Sequence, residues 1–494
     1  MSGGYYKVQL TKVIKNIEIE YIDGTKNIDI KNISYDSRQI KENGLFIAID
    51  GFKTDGHEYI NEAISNGALV IIIENDIENY FDDIVYVKVK DSREAMAYIS
   101  AEFYEYPQKD LKLIGVTGTN GKTTTTNLIK SILENKGYKT GLIGTIGNYI
   151  NKEELDSSRT TPNSLELNKL FYQMKNKGIE YVVMEVSSHA IDLKRIFNLE
   201  FDVAVFTNIS QDHLDYHKTL ENYINVKSKL FTQVKENGYS IINIDDNFSN
   251  KIIESTKSNV VTYSLNKKSD FQAKNINLKT SGVSFKLNNF EKIINLNITG
   301  KFNIYNALAA IAVASVLKID YNTIKEGLEK VEGISGRFEL IKESQNYTVI
   351  VDYAHTADGM KNVLKTIKEL AENDIIIVFG CGGDRDKEKR PEMGKIATEY
   401  GDFVFITTDN PRSEKPESII NDIEKGLEKN KEKYRIIVER KKAIYKAIEM
   451  ANKNDIVVIF GKGHETYQVF KNKTIHFDDR EVAREAIRSK KERI

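Results

Sequence analysis

A glycine-rich run near residue 120 carries the clearest chemistry in the chain. Gly118-Thr-Asn-Gly-Lys-Thr-Thr124 lies between an apolar stretch and a stretch with helical spacing, which is the setting of a phosphate-binding loop. Its glycines let backbone N–H groups turn toward phosphate oxygens, and Lys122 can reach the outer phosphates. Thr123 or Thr124 can hold Mg²⁺ through a hydroxyl. Val116 stands where the usual GxxxxGK[ST] pattern begins with glycine, and the alternative is a glycine-rich turn with a surface lysine.

Acidic and histidine residues follow two later apolar runs. Glu185 ends Tyr181-Val-Val-Met-Glu185, where a carboxylate is costly unless it meets a cation. Mg²⁺ is one such cation, and a salt bridge is the alternative. His189 and the run 212–217 place three of the seven histidines within 29 residues. Each alone has the pattern of an ordinary histidine, and the absence of Cys or HExxH spacing argues against zinc.

Other charged residues are ambiguous on their own. Lys227 and Lys229 lie in a helical stretch and, taken alone, are solvated lysines. Arg412 ends Asp409-Asn-Pro-Arg412 after an apolar strand, where a ligand can bind, and the alternative is that it pairs with nearby Glu414 at the surface.

Three regions must position these residues. Residues 1–108 contain strand-like runs at 44–50 and 68–74, with a helix between them, and Pro107 interrupts this pattern. Residues 109–336 alternate apolar strands with helices, which predicts a parallel sheet, and residues 270–300 alternate polar and apolar, which predicts a small antiparallel patch. Residues 337–494 repeat strand and helix in a Rossmann-like pattern, whose ligands bind at the carboxyl ends of the strands. The fold class is therefore α/β.

The C-terminal strands are predicted at 349–353, 375–379, 403–407, 436–438 and 456–460.

Composition excludes several functional classes. The 494 residues carry a formal net charge of -1, so no overall field favours nucleic acid or an anionic membrane. Cys381 is the only cysteine, which excludes an internal disulfide and suits a reducing compartment. The sequence shows no signal peptide and no apolar run of about 20 residues. We expect a cytoplasmic protein without nucleic-acid or membrane partners.

The motifs together resemble the Mur ligase family along essentially the whole chain. The resemblance is carried in order by these runs: Asp36-Ser-Arg38, Gly118 to Thr124, Glu185-Val-Ser-Ser-His189, Asp212 to His217, Val226-Lys227, Phe302-Asn303, Gly336-Arg337, Asp352-Tyr-Ala-His355, Cys381 to Asp386, Asp409 to Arg412 and Gly461-Lys-Gly-His-Glu465. The last three narrow it to the tripeptide-synthetase (MurE) branch. Membership implies a UDP-substrate-binding domain over 1–108, a central P-loop ATPase-type domain over 109–336 and a Rossmann-like amino-acid-binding domain over 337–494.

The resemblance also implies roles for individual residues. Those implied for ATP are Gly118, Thr119, Asn120, Gly121, Lys122, Thr123, Thr124, Asn303, Asn306, Arg337 and Asp352. Those implied for Mg²⁺ are Thr123, Thr124, Glu185, His213 and Lys227, the last as a CO₂-derived carbamate. Lys122, Glu185, His213 and Lys227 are thereby the implied catalytic residues. Those implied for the UDP-MurNAc-dipeptide are Ser37, Thr160, Thr161, Ser187 and Arg195. Those implied for the amino-acid substrate are Arg385, Asp409, Asn410, Arg412, Gly461 and Glu465. Ala357 and Leu193 depart from residues common in the family, proline and glutamine.

The implied reaction joins an amino acid to UDP-MurNAc-L-Ala-D-Glu through an acyl phosphate, with ATP and Mg²⁺, in peptidoglycan synthesis. It therefore serves cell-wall growth, cell shape and division, and the expected enzyme is a monomer. Asp409-Asn-Pro-Arg412 resembles the type that adds meso-diaminopimelate. The far carboxylate of that substrate suits the planar fork of Arg412, and its ammonium suits Glu465. Lanthionine and L-lysine are the alternative amino acids.

Two other functions share part of this pattern. Folylpolyglutamate synthetase shares a similar phosphate loop, but the first 108 residues and the run 409–412 argue against it. A P-loop switch protein usually has Asp where this chain has Glu185, and the motifs of the third region would then have no role.

Overall fold

The computed structural model describes residues 7–52, 54–155, 157, 159–427 and 431–492. The chain forms two compact units. The first comprises Met1–Gly115, Tyr138–Ala204 and Lys229–Gly238, and the second comprises Val116–Gly137, Val205–Ser228 and Tyr239–Ile494. The three domain ranges expected from the sequence divide the chain differently and stay predictions.

The elements up to the phosphate loop are, in chain order, β1 (Val8–Gln9), α1 (Leu10–Val13), β2 (Ile19–Asp23), β3 (Asp29–Ile30), β4 (Asn32–Ser34), β5 (Gly44–Ile47), α2 (Ile60–Ser65), β6 (Ala68–Ile73), β7 (Val85–Val89), α3 (Ser92–Phe103) and β8 (Lys112–Thr117).

The elements of the middle of the chain are α4 (Lys122–Asn135), β9 (Thr140–Ile143), β10 (Asn148–Ile150), β11 (Glu153–Leu155), α5 (Ser164–Asn176), β12 (Tyr181–Glu185), α6 (Ser188–Asp192), β13 (Phe201–Phe206), α7 (Leu214–His217), α8 (Leu220–Thr232), β14 (Val234–Asn243), α9 (Ser249–Ser255), β15 (Asn259–Ser264), β16 (Phe271–Lys279), β17 (Gly282–Leu287), β18 (Phe290–Leu296), α10 (Lys301–Val316) and α11 (Tyr321–Glu329).

The elements of the C-terminal part are β19 (Glu339–Leu340), β20 (Thr348–Asp352), α12 (Ala357–Leu370), β21 (Ile375–Phe379), α13 (Lys389–Tyr400), β22 (Phe403–Ile406), α14 (Pro416–Glu424), β23 (Tyr434–Ile436), α15 (Arg440–Met450), β24 (Ile456–Phe460), β25 (Tyr467–Phe470), β26 (Lys473–His476) and α16 (Asp479–Lys491).

The first unit contains a five-stranded sheet in the order β2-β7-β6-β5-β4. Strands β4 to β7 pair in parallel, and β2 is antiparallel to β7. Every residue of β5 is buried, and β6 is nearly so, because the continuous apolar side chains face cores on both sides of the sheet. The runs predicted as strands at 44–50 and 68–74 are confirmed as β5 and β6.

The second unit surrounds the phosphate loop with helices. Helix α4 begins at Lys122 and buries Leu128, Ile129, Ile132 and Leu133, whose helical spacing forms one apolar face. Helix α4 packs against α10 and α11. Strands β16, β17 and β18 are antiparallel, which confirms the patch predicted at 270–300.

The C-terminal part of the second unit is a six-stranded sheet in the order β19-β20-β24-β21-β22-β23. All of its neighbouring strands are parallel except β19, which is antiparallel to β20. One apolar core includes residues of α12, α13 and α14, and a second includes residues of α15 and α16. The sheet is therefore covered on both faces, and the predicted Rossmann-like pattern is confirmed.

Strand β23 lies at Tyr434–Ile436, so the predicted bounds of 436–438 are wrong by two residues. The apolar run suggested a buried strand, but β23 is an edge strand, and its pairing with β22 begins at Tyr434. Ile436 and Val438 are both more than a third exposed, so burial does not fix this register.

A fully buried ion pair joins the last helix to this sheet. Arg440 on α15 donates from Nε and Nη2 to the carboxylate of Asp479 on α16, both at 2.7 Å. Its Nη2 also donates to the carbonyl of Phe460, at the end of β24, at 2.8 Å.

Within the described residues, no helix combines the length and apolar character needed to cross a bilayer.

Candidate active site

The phosphate loop is held in shape by two glycines. Gly118 and Gly121 both have positive φ angles, 150° and 86°. A Cβ on Gly118 would lie 1.9 Å from Thr207 Oγ1, and one on Gly121 would lie 2.4 Å from Asn306 Oδ1. Only glycine fits both the backbone angle and the space, so the residues around the loop require it at these positions.

Lys122 lies at the first turn of α4 and reaches back over the loop. Its Nζ donates to the carbonyls of Gly118 and Thr119, at 2.9 and 2.8 Å. Thr123 and Thr124 follow it and are buried. An ammonium beside the N-terminus of a helix is an arrangement that can bind nucleotide phosphates, and the binding of ATP at this loop stays a prediction.

Lys227 is buried beside the same loop, with 1% of its surface exposed. Its Nζ donates to the carbonyl of Gly118 at 2.9 Å and lies 3.4 Å from Thr117 Oγ1. Burial, and then the charge of Lys122, lower the pKa of Lys227 well below its ordinary value. The interpretation of Lys227 as a solvated lysine is therefore wrong, whereas Lys229 two positions later is exposed.

The residues predicted for the rest of the nucleotide site approach this loop in part. Asn306 accepts a hydrogen bond from Thr125 Oγ1 at 3.3 Å and donates to Asn303 Oδ1 at 3.0 Å. Arg337 Nη2 donates to Thr123 Oγ1 at 3.2 Å. Asp352, by contrast, holds the backbone.

The carboxylate of Asp352 accepts the N–H groups of Phe338 and Ala354, both at 2.7 Å. Burial raises the pKa of Asp352. It therefore fixes the segment that carries Arg337.

A cavity of about 460 Å³ opens at the carboxyl ends of the C-terminal strands. We call it the strand-end cavity. All six residues predicted for the amino-acid substrate line it: Arg385, Asp409, Asn410, Arg412, Gly461 and Glu465. His213 and His355 also line it, together with Lys389. Its position at the ends of parallel strands follows the rule for ligand sites in such sheets.

Side chains of the strand-end cavity are bonded to one another. Asn410 Nδ2 donates to Glu465 Oε2 at 2.8 Å. Gly461 has a φ of 116°, and a Cβ there would lie 2.5 Å from Asp409 Oδ2. The predicted residues 409, 410, 461 and 465 therefore form one wall, although 51 or more positions separate 461 from the first two.

Arg412 is oriented by its backbone. It has a left-handed φ of 51°, its N–H donates to Val469 O at 3.0 Å, and its Nη1 donates to Gly383 O at 2.8 Å. The alternative partner, Glu414, instead accepts from Nη1 and Nη2 of Arg390 at 3.0 and 2.8 Å. The surface pairing of Arg412 with Glu414 is therefore wrong.

The first unit holds another cluster of predicted residues around Glu185, which is buried. The carboxylate of Glu185 accepts from Thr145 N and Oγ1 at 2.9 and 3.0 Å, and Thr145 Oγ1 lies 3.0 Å from Thr160 Oγ1. Thr161 Oγ1 donates to Glu185 O at 2.9 Å and lies 3.4 Å from Ser187 Oγ. The structure thus brings Glu185 together with three residues predicted for the dipeptide.

Arg195 completes this cluster, because its Nη1 donates to Thr161 O at 2.8 Å. Burial, and then the charge of Arg159, lower the pKa of Arg195 to about 10. Ser37, predicted for the same substrate, donates instead to Glu62 Oε2 at 2.6 Å. Within the described part of the chain, no group of three or more His, Cys, Asp and Glu side chains is arranged to hold a metal ion.

Sequence reasoning missed several charged residues of the strand-end cavity. Lys389 lines it, and Lys462 is fully buried in its wall, but neither was assigned a role. Lys462 lies inside the run 461–465, so the motif itself was the available signal. Nothing in the sequence around Lys389 distinguishes it from the many surface lysines.

A glycine loop with a lysine between β8 and α4, and a charged cavity at the strand ends of a Rossmann-like sheet, are an arrangement typical of enzymes that use a nucleotide. Three family models match the chain: "Mur ligase family, catalytic domain" at residues 29–104, "Mur ligase middle domain" at 116–314, and "Mur ligase, glutamate ligase domain" at 336–463.

Similar proteins agree with these matches. A UDP-N-acetylmuramoyl-L-alanyl-D-glutamate--2,6-diaminopimelate ligase of Clostridium botulinum is 47% identical over 97% of this chain and 100% of its own length. The protein of that name from Clostridium tetani is 49% identical over 97% of this chain and 99% of its own. A solved structure with the same name has a TM-score of 0.68 and 31% identity, and covers 98% of this chain and 99% of that one.

The chain belongs to the Mur ligase family. The predicted family and its α/β fold class are confirmed, and so is the predicted enzyme class, an ATP-dependent acid–amino acid ligase.

Proposed function

We propose that the chain adds meso-diaminopimelate to UDP-MurNAc-L-Ala-D-Glu, using ATP and an acyl-phosphate intermediate. The observation that carries the proposal is the strand-end cavity, which is lined by both the guanidinium of Arg412 and the carboxylate of Glu465. The names of the two clostridial relatives support it. The proposed enzyme is a cytoplasmic monomer.

Lys122 acts first in the proposed reaction. A carboxylate does not condense with an amine in neutral water, so the γ-phosphoryl group of ATP must first activate it. Transfer of that group spreads negative charge over its oxygens, which the Lys122 ammonium and the N-terminal N–H groups of α4 stabilise. The carbonyls that Lys122 now contacts, those of Gly118 and Thr119, hold it over the loop.

The side chains that we propose as metal ligands are of a kind that Mg²⁺ can bind. The ion prefers oxygen ligands and binds through one or two carboxylates together with phosphates and water. The hydroxyls of Thr123 and Thr124 lie at the loop, and Glu185 and His213 are the further ligands that we propose. When bound, Mg²⁺ neutralises charge on the phosphates.

Lys227 is proposed to carry a carbamate. A neutral amine reacts with CO₂ to give an anionic carbamate and a proton, and the lowered pKa of Lys227 favours the neutral amine. The carbamate oxygens would supply a second set of Mg²⁺ ligands beside the phosphate loop. The buried position next to Gly118 O is the observation that supports this.

The choice of amino acid depends on the far end of the substrate. L-Lysine ends in an ammonium alone, whereas meso-diaminopimelate ends in an ammonium and a carboxylate. Arg412 can bind the carboxylate through its planar guanidinium, and Glu465 can accept from the ammonium. Lanthionine has the same termini, so it is expected to bind in the same way.

The cluster in the first unit is proposed to bind the dipeptide portion of UDP-MurNAc-L-Ala-D-Glu. Arg195 supplies a cation for a carboxylate, and Thr160, Thr161 and Ser187 supply hydroxyls. Ser37 is proposed to lie at the UDP end, in the N-terminal domain.

Phosphate release from purified protein tests the proposal. Release should require ATP, the UDP-linked dipeptide and a diamino acid together, and meso-diaminopimelate should be preferred in a panel with lanthionine and L-lysine. Release with a folate and glutamate would favour folylpolyglutamate synthesis. ATP hydrolysis that ignores every amino acid would favour a nucleotide switch.

A further inference from the structure

Lys462 follows β24 and is fully buried in the wall of the strand-end cavity. Its Nζ lies 3.1 Å from Asn410 Oδ1 and 3.0 Å from Glu465 Oε2, and both of these residues line the cavity. The ring of Tyr467 lies 5.5 Å from the same Nζ. A buried ammonium with these two acceptors is built into the wall, and it does not reach the cavity itself.

The three side chains form a closed triangle of hydrogen bonds. Asn410 Nδ2 donates to the same Glu465 Oε2, at 2.8 Å, and Asn410 Oδ1 also accepts from Val469 N at 2.9 Å. The amide of Asn410 is therefore fixed, because its oxygen faces two donors and its nitrogen faces the carboxylate. Lys462 thus sets the orientation of both residues that face the substrate.

The triangle also changes the charge that the cavity presents. Both side-chain donors to Glu465 in the described residues converge on Oε2, which leaves Oε1 for a ligand. Because an internal ammonium already compensates this carboxylate, its attraction for a second ammonium is reduced. A ligand that offers only an ammonium gains less there than one whose carboxylate is bound at the same time by Arg412.

We propose that Lys462 is a positioning residue that makes the strand-end cavity select an amino acid with a zwitterionic far end over one that ends in a bare ammonium. The proposal rests on the proposed function, the addition of a diamino acid. It assigns to Lys462 two effects through one contact, the orientation of Glu465 and the partial neutralisation of its charge.

Lys462→Met tests the proposal, with kcat and KM measured for meso-diaminopimelate and for L-lysine. The ratio of the two kcat/KM values should fall by about tenfold or more. Glu465 loses its internal counter-charge, which should lower the KM for L-lysine, and it loses its fixed orientation, which should raise the KM for meso-diaminopimelate. The KM values for ATP and for the UDP-linked dipeptide should stay unchanged. Lys462→Gln keeps a donor without the charge, so it should restore part of the KM for meso-diaminopimelate while the KM for L-lysine stays low. It also replaces Lys462→Met if that variant does not fold.

A double-mutant cycle with Glu465→Gln separates positioning from a general structural role. If Lys462 acts through Glu465, Lys462→Met should change the substrate ratio little in the Glu465→Gln background. Equal losses in both backgrounds, or an unchanged ratio in a folded variant, would overturn the proposal. A wild-type enzyme that does not consume meso-diaminopimelate would instead overturn the proposed function, so the two failures are distinguishable.

Discussion

The phosphate loop and the strand-end cavity hold their charges in opposite ways. The loop is one continuous segment, and the Lys122 ammonium donates to carbonyls of that segment. The cavity is assembled from the ends of several strands, and charged side chains in or beside its wall are bonded to one another, as Lys462 is to Glu465 and Arg390 is to Glu414.

Because their charges are held differently, we expect the loop to stabilise the reacting phosphoryl group and the cavity to select the amino acid. A loop of backbone N–H groups and one ammonium binds any polyphosphate of suitable size, and its task is to stabilise charge that forms during transfer. A wall of mutually compensated side chains gains little from a ligand with one charge and more from a ligand that matches several. We therefore expect substitutions in the loop to affect the chemical step and substitutions in the cavity to affect the choice of amino acid.

The largest effect is expected at Lys122. Lys122→Ala should abolish turnover while leaving the fold intact, because the ammonium acts on the transferring phosphoryl group. Phosphate release and thermal unfolding measure the two properties. Lys130→Ala, on the same helix and paired with Glu134 across one turn, is the matched control and should remain active. Near wild-type activity of Lys122→Ala would show that the loop is not the phosphate site.

Lys227→Ala should also be inactive, because it removes the proposed carbamate, but formate or acetate should partly restore its activity by supplying a carboxylate. Lys229→Ala is the control, since Lys229 lies on the same helix and is exposed. Assays at a series of carboxylate concentrations measure the rescue. An active complex whose high-resolution map shows Lys227 unmodified and distant from the metal would refute the carbamate.

In the cavity, Arg412→Ala should weaken the use of meso-diaminopimelate by well over tenfold, because removing one partner of a buried charge-assisted contact costs roughly 2–5 kcal/mol. The use of L-lysine should change less, which kinetics with both amino acids will measure. Arg435→Ala, an exposed arginine on β23, should have no effect. An unchanged KM for meso-diaminopimelate, or a wild type that prefers L-lysine, would contradict the assignment of the substrate.

The smallest effect is expected at Glu414, beside the cavity. Hydrogen bonds from Arg390 lower the pKa of Glu414 to about 2. Because the pKa of Glu414 is lowered in the folded state, its contact with Arg390 contributes its full stabilisation above the ordinary glutamate pKa of about 4.3. This stabilisation is lost as the pH falls toward about 2. Glu414→Gln should therefore lower the free energy of unfolding at pH 7 by roughly 1 kcal/mol, with less effect at acidic pH.

Urea unfolding at several pH values measures this difference. Glu399→Gln, at an exposed position on α13, is the control. A difference that stays constant down to low pH would mean that the Arg390 contact does not hold the carboxylate ionised.

The sequence predicted the phosphate loop well because its requirements are local. Strand, glycine turn and helix follow one another directly, and the predicted helical stretch is helix α4, Lys122–Asn135. The six residues that the family resemblance implied for the amino-acid substrate line one cavity. That cavity lies at the carboxyl edge that parallel strands share.

Side-chain partners could not be predicted in the same way. Arg412 and Glu414 are close in sequence, but the left-handed backbone at Arg412 directs its side chain to Gly383 O. The burial of Lys227 and Lys462 depends on which strands and helices surround them, and their local sequence resembles that of exposed lysines. The bounds of β23 were predicted wrongly because the position of an edge strand is fixed by backbone pairing more than by apolar side chains.

The ion pair between Arg440 and Asp479 has a consequence for the synthesis of the chain. Arg440, on α15, is fully buried and donates to the carbonyl at the end of β24, and its carboxylate partner is synthesised 39 residues later. A chain that stops before α16 would leave a buried guanidinium without its counter-charge, which costs about 3–5 kcal/mol. The five-stranded sheet of the first unit uses only residues 19–89 and can form early in translation, whereas the C-terminal sheet must wait for residue 479 to leave the ribosome. Prematurely terminated products would therefore carry an unstable C-terminal sheet, a natural target for proteases.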